Sequence, residues 1–97
     1  MPTIERVSFR LSGVSHEDFI TAIDAVNRWL DARAGFLRRE LAESGDGTWL
    51  DVITWESADA ARAAARAMQE KLDDFPAMRR IDPASIAMRH ATIKLGA

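Results

Sequence analysis

His90 and Asp51 are the two side chains of this sequence best suited to move a proton in a sheltered place. An imidazole titrates near neutrality, with an unperturbed pKa of about 6.5. His90 is therefore a candidate general base, although on an edge strand it would simply be part-solvated. Asp51 lies in "TWLDVITW", residues 48–55, where Trp49, Asp51, Ile53 and Trp55 share one face of a strand. It could orient His90, act as a base itself in apolar surroundings, or form a structural ion pair with a nearby arginine. Trp49 and Trp55 read either as core or as walls on which a planar ligand stacks, with indole N–H groups free to donate. Phe36 joins the same aromatic face. Arg39 could hold an anionic substrate or tie one strand to another.

Other chemistry is excluded. The chain has no cysteine, so disulfides, thiolate metal sites and cysteine nucleophiles are absent. The two histidines stand far apart, at 16 and 90, with no paired acidic cluster, so no metal site is expected. The "SGDG" segment at 44–47 is too short for a phosphate-binding loop and leads to a strand. Net charge is −2 with both signs interspersed, and no basic stripe points to nucleic acid. No apolar run approaches the ~20 residues of a transmembrane helix. The first residues, "MPTIERVSFRL", carry charges inside their apolar pattern, unlike a signal peptide. A cytoplasmic location is the resulting expectation. At 97 residues, 47% of them hydrophobic, the chain reads as one domain, 1–97.

The elements that must position these residues follow from periodicity. Residues 3–12 alternate, with Val7, Phe9 and Leu11 on one face and Arg6, Ser8 and Arg10 on the other, which is a strand. Ser15 caps a helix whose face carries Phe19, Ile23, Val26 and Leu30 at spacings of four, three and four, and Gly35 marks its stop. A strand over 36–43, the "SGDG" turn and a strand over 48–55 form a hairpin. Ser57 caps a second helix with a small-residue stripe of Ala61, Ala65, Met68 and Leu72. Such a stripe packs close to a sheet or leaves space beside it; close packing is the expectation. Residues 73–85 are a connector with a helical turn near 77–80, and 85–95 the last strand, with Met88 and His90 on one face. The order is βαββαβ, an α+β ferredoxin-like fold: a four-stranded antiparallel sheet with two helices on one face.

Two helices cover one face of such a sheet. On the hairpin, regular alternation puts Leu37, Leu41, Leu50 and Val52 on one side. It puts Phe36, Trp49, Ile53 and Trp55 on the other, around Arg38, Glu40 and Asp51. Arg39 then faces away from Asp51, and one bulged residue would reverse this. With large apolar groups on both faces, the uncovered one marks an interface. A homodimer through sheet-face stacking is expected; in the alternative, the connector folds over that face in a monomer.

The run "GFLRRELAESGDGTWLDVITWESADAARAA", residues 35–64, resembles the hairpin and second helix of dimeric α/β-barrel proteins, and most of all the antibiotic-biosynthesis-monooxygenase-like domains. The marks are Gly35-Phe36, Arg39, Gly47-x-Trp49-x-Asp51 and Trp55-Glu56-Ser57 before an alanine-rich helix; "IDPASIAMRHA", 81–91, fits the last strand of a small bacterial branch. The resemblance implies a pocket between sheet and helices in each subunit of a homodimer. It implies cofactor-independent monooxygenation of a small planar aromatic or polyketide-like substrate. His90 or Asp51 would be the base, and Trp49, Trp55, Arg39 and Phe36 would bind substrate. The alternative is a non-catalytic homodimeric module that binds a small ligand or is structural. Heme-degrading relatives use a strand-three Trp, a strand-one Asn and a helix-two His. Trp55 matches the first, but Ala65 stands at the His position and "TIERVSFRL" has no Asn, so no cofactor is expected.

Overall fold

In the computed structural model, which describes residues 1–96, the chain builds one sheet and two α-helices. The strands are β1 (Thr3–Arg10), β2 (Phe36–Glu43), β3 (Thr48–Trp55) and β4 (Ala87–Thr92). The helices are α1 (His16–Asp31) and α2 (Ala58–Lys71), and three short 3-10 turns fill residues 72–85. The sheet is antiparallel in the order β2-β3-β1-β4. This is the expected ferredoxin-like α+β arrangement. The last strand is shorter than the predicted 85–95 and lies at the edge, exposed along its length.

Local chemistry sets the ends. Ser15 accepts a hydrogen bond from the Asp18 N–H, and Ser57 from the Ala60 N–H, each satisfying an orphan donor of a first turn. α1 stops at Asp31, four residues before Gly35. Gly35, at φ 82°, instead makes the turn into β2 and lets the chain pass against α2: a Cβ there would sit 2.5 Å from the Ala60 Cβ. In the hairpin the Asp46 carboxylate accepts from the Thr48 N–H and the Ser44 hydroxyl.

The predicted α1 stripe is buried: Phe19, Ile23, Val26 and Leu30 face the sheet. Phe19 meets Phe9 and Trp49 edge-on, at 5.7 and 5.1 Å between ring centroids. Burial of each such side chain stabilises by about 1.5–3 kcal/mol. The connector, expected in one reading to cover the far face, runs on the helix side instead. Ile81 bridges Leu11, and Ala77 and Met78 join the core.

One correction concerns the hairpin. Phe36 pairs with Trp55, but Arg38, not Leu37, pairs with Thr54, so Leu37 is the extra residue of a β-bulge. Beyond it the phase reverses. Arg39 and Leu41 pair with Ile53 and Asp51 on the helix face, while Arg38 and Glu40 turn outward. The far face is consequently less apolar than expected. Its aliphatic centre is Ile4, Leu50 and Val52, all half-buried, and Arg6, Arg38, Glu40 and Arg89 surround it.

Candidate functional site

α2 is packed against the β2 turn at its start, through Gly35 and Ala60, and borders open space further along. There Ala64 and Ala65, with Met68 and Leu72, line a cavity of about 410 Å³. The small-residue stripe thus does both things such a stripe can do, close packing at one end and space at the other, where close packing alone was expected. The cavity floor is the sheet: Glu5, Val7 and Phe9 of β1, Ile53 and Trp55 of β3. α1 contributes Ile23, Val26 and Leu30, and Met78, Ile81, Ile86 and Met88 stand toward the connector and β4.

Three ionisable groups cluster on this floor, and a fourth, His90, stands behind them at the sheet edge. Arg39 donates through Nε and Nη2 to the two oxygens of Asp51, at 2.9 and 2.7 Å. Their side chains are 6% and 11% exposed, and both line the cavity. The bulge at Leu37 is what brings them to one face. Next to them on β1, Glu5 is buried, and its Oε1 lies 3.3 Å from His90 Nε2 across the β1–β4 pairing. Burial raises the Glu5 pKa above the usual carboxylate value; the His90 hydrogen bond and charge offset part of that, and nearby Asp51 adds to it.

His90 therefore has Glu5 as its partner, and Asp51 is committed to Arg39; the idea that Asp51 orients His90 is corrected. Glu5 was missed by the sequence reading. Its signal was the phase it shares with the buried residues Thr3 and Phe9, a carboxylate at an inward position of a strand. His90 itself does not line the cavity; its side chain is 34% exposed at the sheet edge.

The aromatic residues separate. Trp55 is buried, lines the cavity, and leaves its indole N–H without a hydrogen-bond partner. That N–H lies near enough to Glu5 to favour the carboxylate form. Trp49 packs in the core at the other end, against Phe9, Phe19 and His16. Phe36 meets Trp55 edge-on at 5.8 Å, behind the cavity wall. Trp29 lines the cavity and packs on Phe75, with Arg33 over its ring. At the helix position where heme-degrading relatives carry histidine, Ala65 offers no ligand atom. Among the described residues no cluster of three or more His, Cys, Asp or Glu could hold a metal ion, and no helix is long and apolar enough to cross a membrane.

No protein-family model matches the chain, and no curated protein matches it by sequence. Solved structures do match. SnoaB, a cofactor-independent oxygenase from Streptomyces nogalater, superposes with a TM-score of 0.72 at 20% identity, covering 98% of this chain and 95% of that one. The ActVA-Orf6 monooxygenase of Streptomyces coelicolor, solved with nanaomycin D, gives 0.67 at 19%, covering 98% and 89%. A protein from Bordetella bronchiseptica, provisionally named an antibiotic biosynthesis monooxygenase, gives 0.75 at 15%, covering 97% and 98%. The chain shares the fold of the antibiotic biosynthesis monooxygenase-like proteins over nearly its whole length.

Proposed function

We propose that this chain is a cytoplasmic, homodimeric member of that group and oxygenates a small planar aromatic or polyketide-like substrate without a cofactor. One observation carries the reading: an apolar cavity of about 410 Å³ whose floor holds two carboxylates, Glu5 and Asp51. Small-molecule pockets run from about 300 to 1,000 Å³, mostly apolar with a few placed polar groups. Cofactor-free oxygenation asks for such a place. The substrate must lose a proton so that its own carbanion can reduce dioxygen, which requires a base, a donor for the developing oxyanion and exclusion of water.

The residues divide the work. Trp55 supplies a flat wall and an unpaired N–H that an acceptor oxygen of the ligand would satisfy. Arg39 holds Asp51 in place, and the pair gives the floor its polar centre. His90, one of the two bases expected from sequence, reaches the cavity by way of Glu5. Phe36 supports Trp55 from behind, and Trp49 packs the core at the other end of β3.

Oxygen uptake with anthrones and dihydroxyarenes, read beside quenching of tryptophan fluorescence, tests this. Saturable quenching with substrate-dependent uptake is expected from wild type, and loss of both from Ala65→Trp, which fills the cavity. Binding without uptake would support the non-catalytic ligand-binding module. Absence of both would overturn the cavity as a site.

A further inference from the structure

Three groups could accept a proton here, and geometry separates them. Both oxygens of Asp51 are held by the Arg39 guanidinium, a cation that stabilises the carboxylate as it stands. His90 does not line the cavity. Glu5 does: Oε1 is engaged by His90 Nε2 at 3.3 Å, and Oε2 accepts no hydrogen bond among the described residues. The pair spans the sheet from the cavity floor to the exposed edge strand.

We propose that Glu5 is the general base of this site and that His90, behind it, is the positioning residue, its ring N–H held on Glu5 Oε1 so that Oε2 is turned to the substrate. The identity of the substrate rests on the oxygenase reading. With an anthrone, Glu5 Oε2 removes a proton from the ring CH2, and the C–H electron pair stays on the substrate as an enolate. Glu5 holds that proton as the carboxylic acid while Oε1 goes on accepting from the His90 Nε2–H. Dioxygen takes the carbon electron pair and becomes a carbon-bound peroxide anion. Glu5 returns the held proton to the peroxide and is a carboxylate again. Glu5 then removes the second C–H proton, the O–O bond breaks, and hydroxide leaves as the new carbonyl forms. The same proton converts hydroxide to water. The substrate loses two hydrogens and gains one oxygen, and dioxygen ends as that oxygen and one water.

The deprotonation is separable from the oxygenation. We would mix wild type, Glu5→Gln, Glu5→Asp and His90→Ala with 1,8-dihydroxyanthrone without oxygen and follow the coloured enolate, then admit oxygen and follow its uptake. Wild type is expected to form the enolate. Glu5→Gln should slow it on the order of 100-fold or more, the range of a general base, with fluorescence quenching retained. Glu5→Asp, shorter by one methylene, should be slow while remaining folded. His90→Ala should be slowed less and recover with added imidazole, which a merely structural histidine would not do. Enolate formation at the wild-type rate in Glu5→Gln overturns the base assignment, and oxygen uptake persisting in that variant leaves the oxygenase reading standing. Enolate that forms in wild type and is not consumed by oxygen supports the base and overturns the oxygenase. A wild type that does neither overturns both.

Discussion

Asp51 and Arg39 show how much a single buried contact can carry. Their side chains are nearly closed off from solvent, so each charge depends on the other. Removing one partner of a buried pair costs about 3–5 kcal/mol, whereas replacing both by apolar groups is often neutral. Asp51→Asn is therefore expected to lower chemical-denaturation stability by about 3 kcal/mol. Arg39→Met with Asp51→Leu should recover most of that, and a double mutant no better than the single would show that the pair is not the unit. Glu5 makes a pH prediction. Its pKa is raised, chiefly by burial, with His90 of β4 countering and Asp51 of β3 adding. The folded state then binds the proton more readily than the unfolded chain, so stability falls as pH rises from the ordinary carboxylate pKa through the raised one. Glu5→Gln lacks this penalty. Its melting temperature should exceed that of wild type at neutral pH, with the gap closing below about pH 4.5; a gap constant across pH would contradict the assignment. Asp51 was legible in the sequence as a carboxylate among tryptophans. Glu5 was visible only as a charge in phase with apolar residues.

At the scale of elements, periodicity carried the order. Alternation marked β1 and β3, the Phe19–Leu30 spacing marked α1, and both serine caps lie where expected. The bulge was not legible, because a bulged residue is defined by what its neighbours pair with. Nothing in the side chain of Leu37 distinguishes it from a paired one. That single residue decides whether Arg39 or Arg38 meets Asp51. The cavity was hidden for a related reason: alanines on one face of α2 suit both contact and space, and it is the packing that puts Ala60 against Gly35 and Ala64 and Ala65 beside the cavity. Gly35→Ala tests the close contact. An L-residue at φ 82° costs about 1–2 kcal/mol. The methyl would also meet Ala60 at 2.5 Å, an overpacking worth about 1–3 kcal/mol. Loss in denaturation experiments is expected near the sum, and adding Ala60→Gly should relieve the steric share and leave the backbone share. A Gly35→Ala variant as stable as wild type would mean that the start of α2 gives way easily.

For the whole molecule, the two sheet faces divide the roles. The helix face holds the cavity and its ionisable floor, and the other is an aliphatic centre of Ile4, Leu50 and Val52 among Arg6, Arg38, Arg89 and Glu40. This patch is smaller than regular alternation foretold, since the bulge moved Leu41 to the inside, yet it has no cover among the described residues. Face-to-face stacking of two copies would bury the aliphatic centre and leave the guanidinium groups at the rim. Sedimentation at micromolar concentration is expected to give a mass near twice 10.8 kDa. Val52→Arg places a charge at the centre of the patch, with no partner there, and should give a single-chain mass. Because Val52 points away from the cavity, the separated chains should still quench with 1,8-dihydroxyanthrone. A wild type that sediments as one chain removes the stacked dimer and leaves the site untouched. A Val52→Arg monomer that no longer binds ligand would show instead that the second copy holds the sheet, and so the cavity floor, in shape.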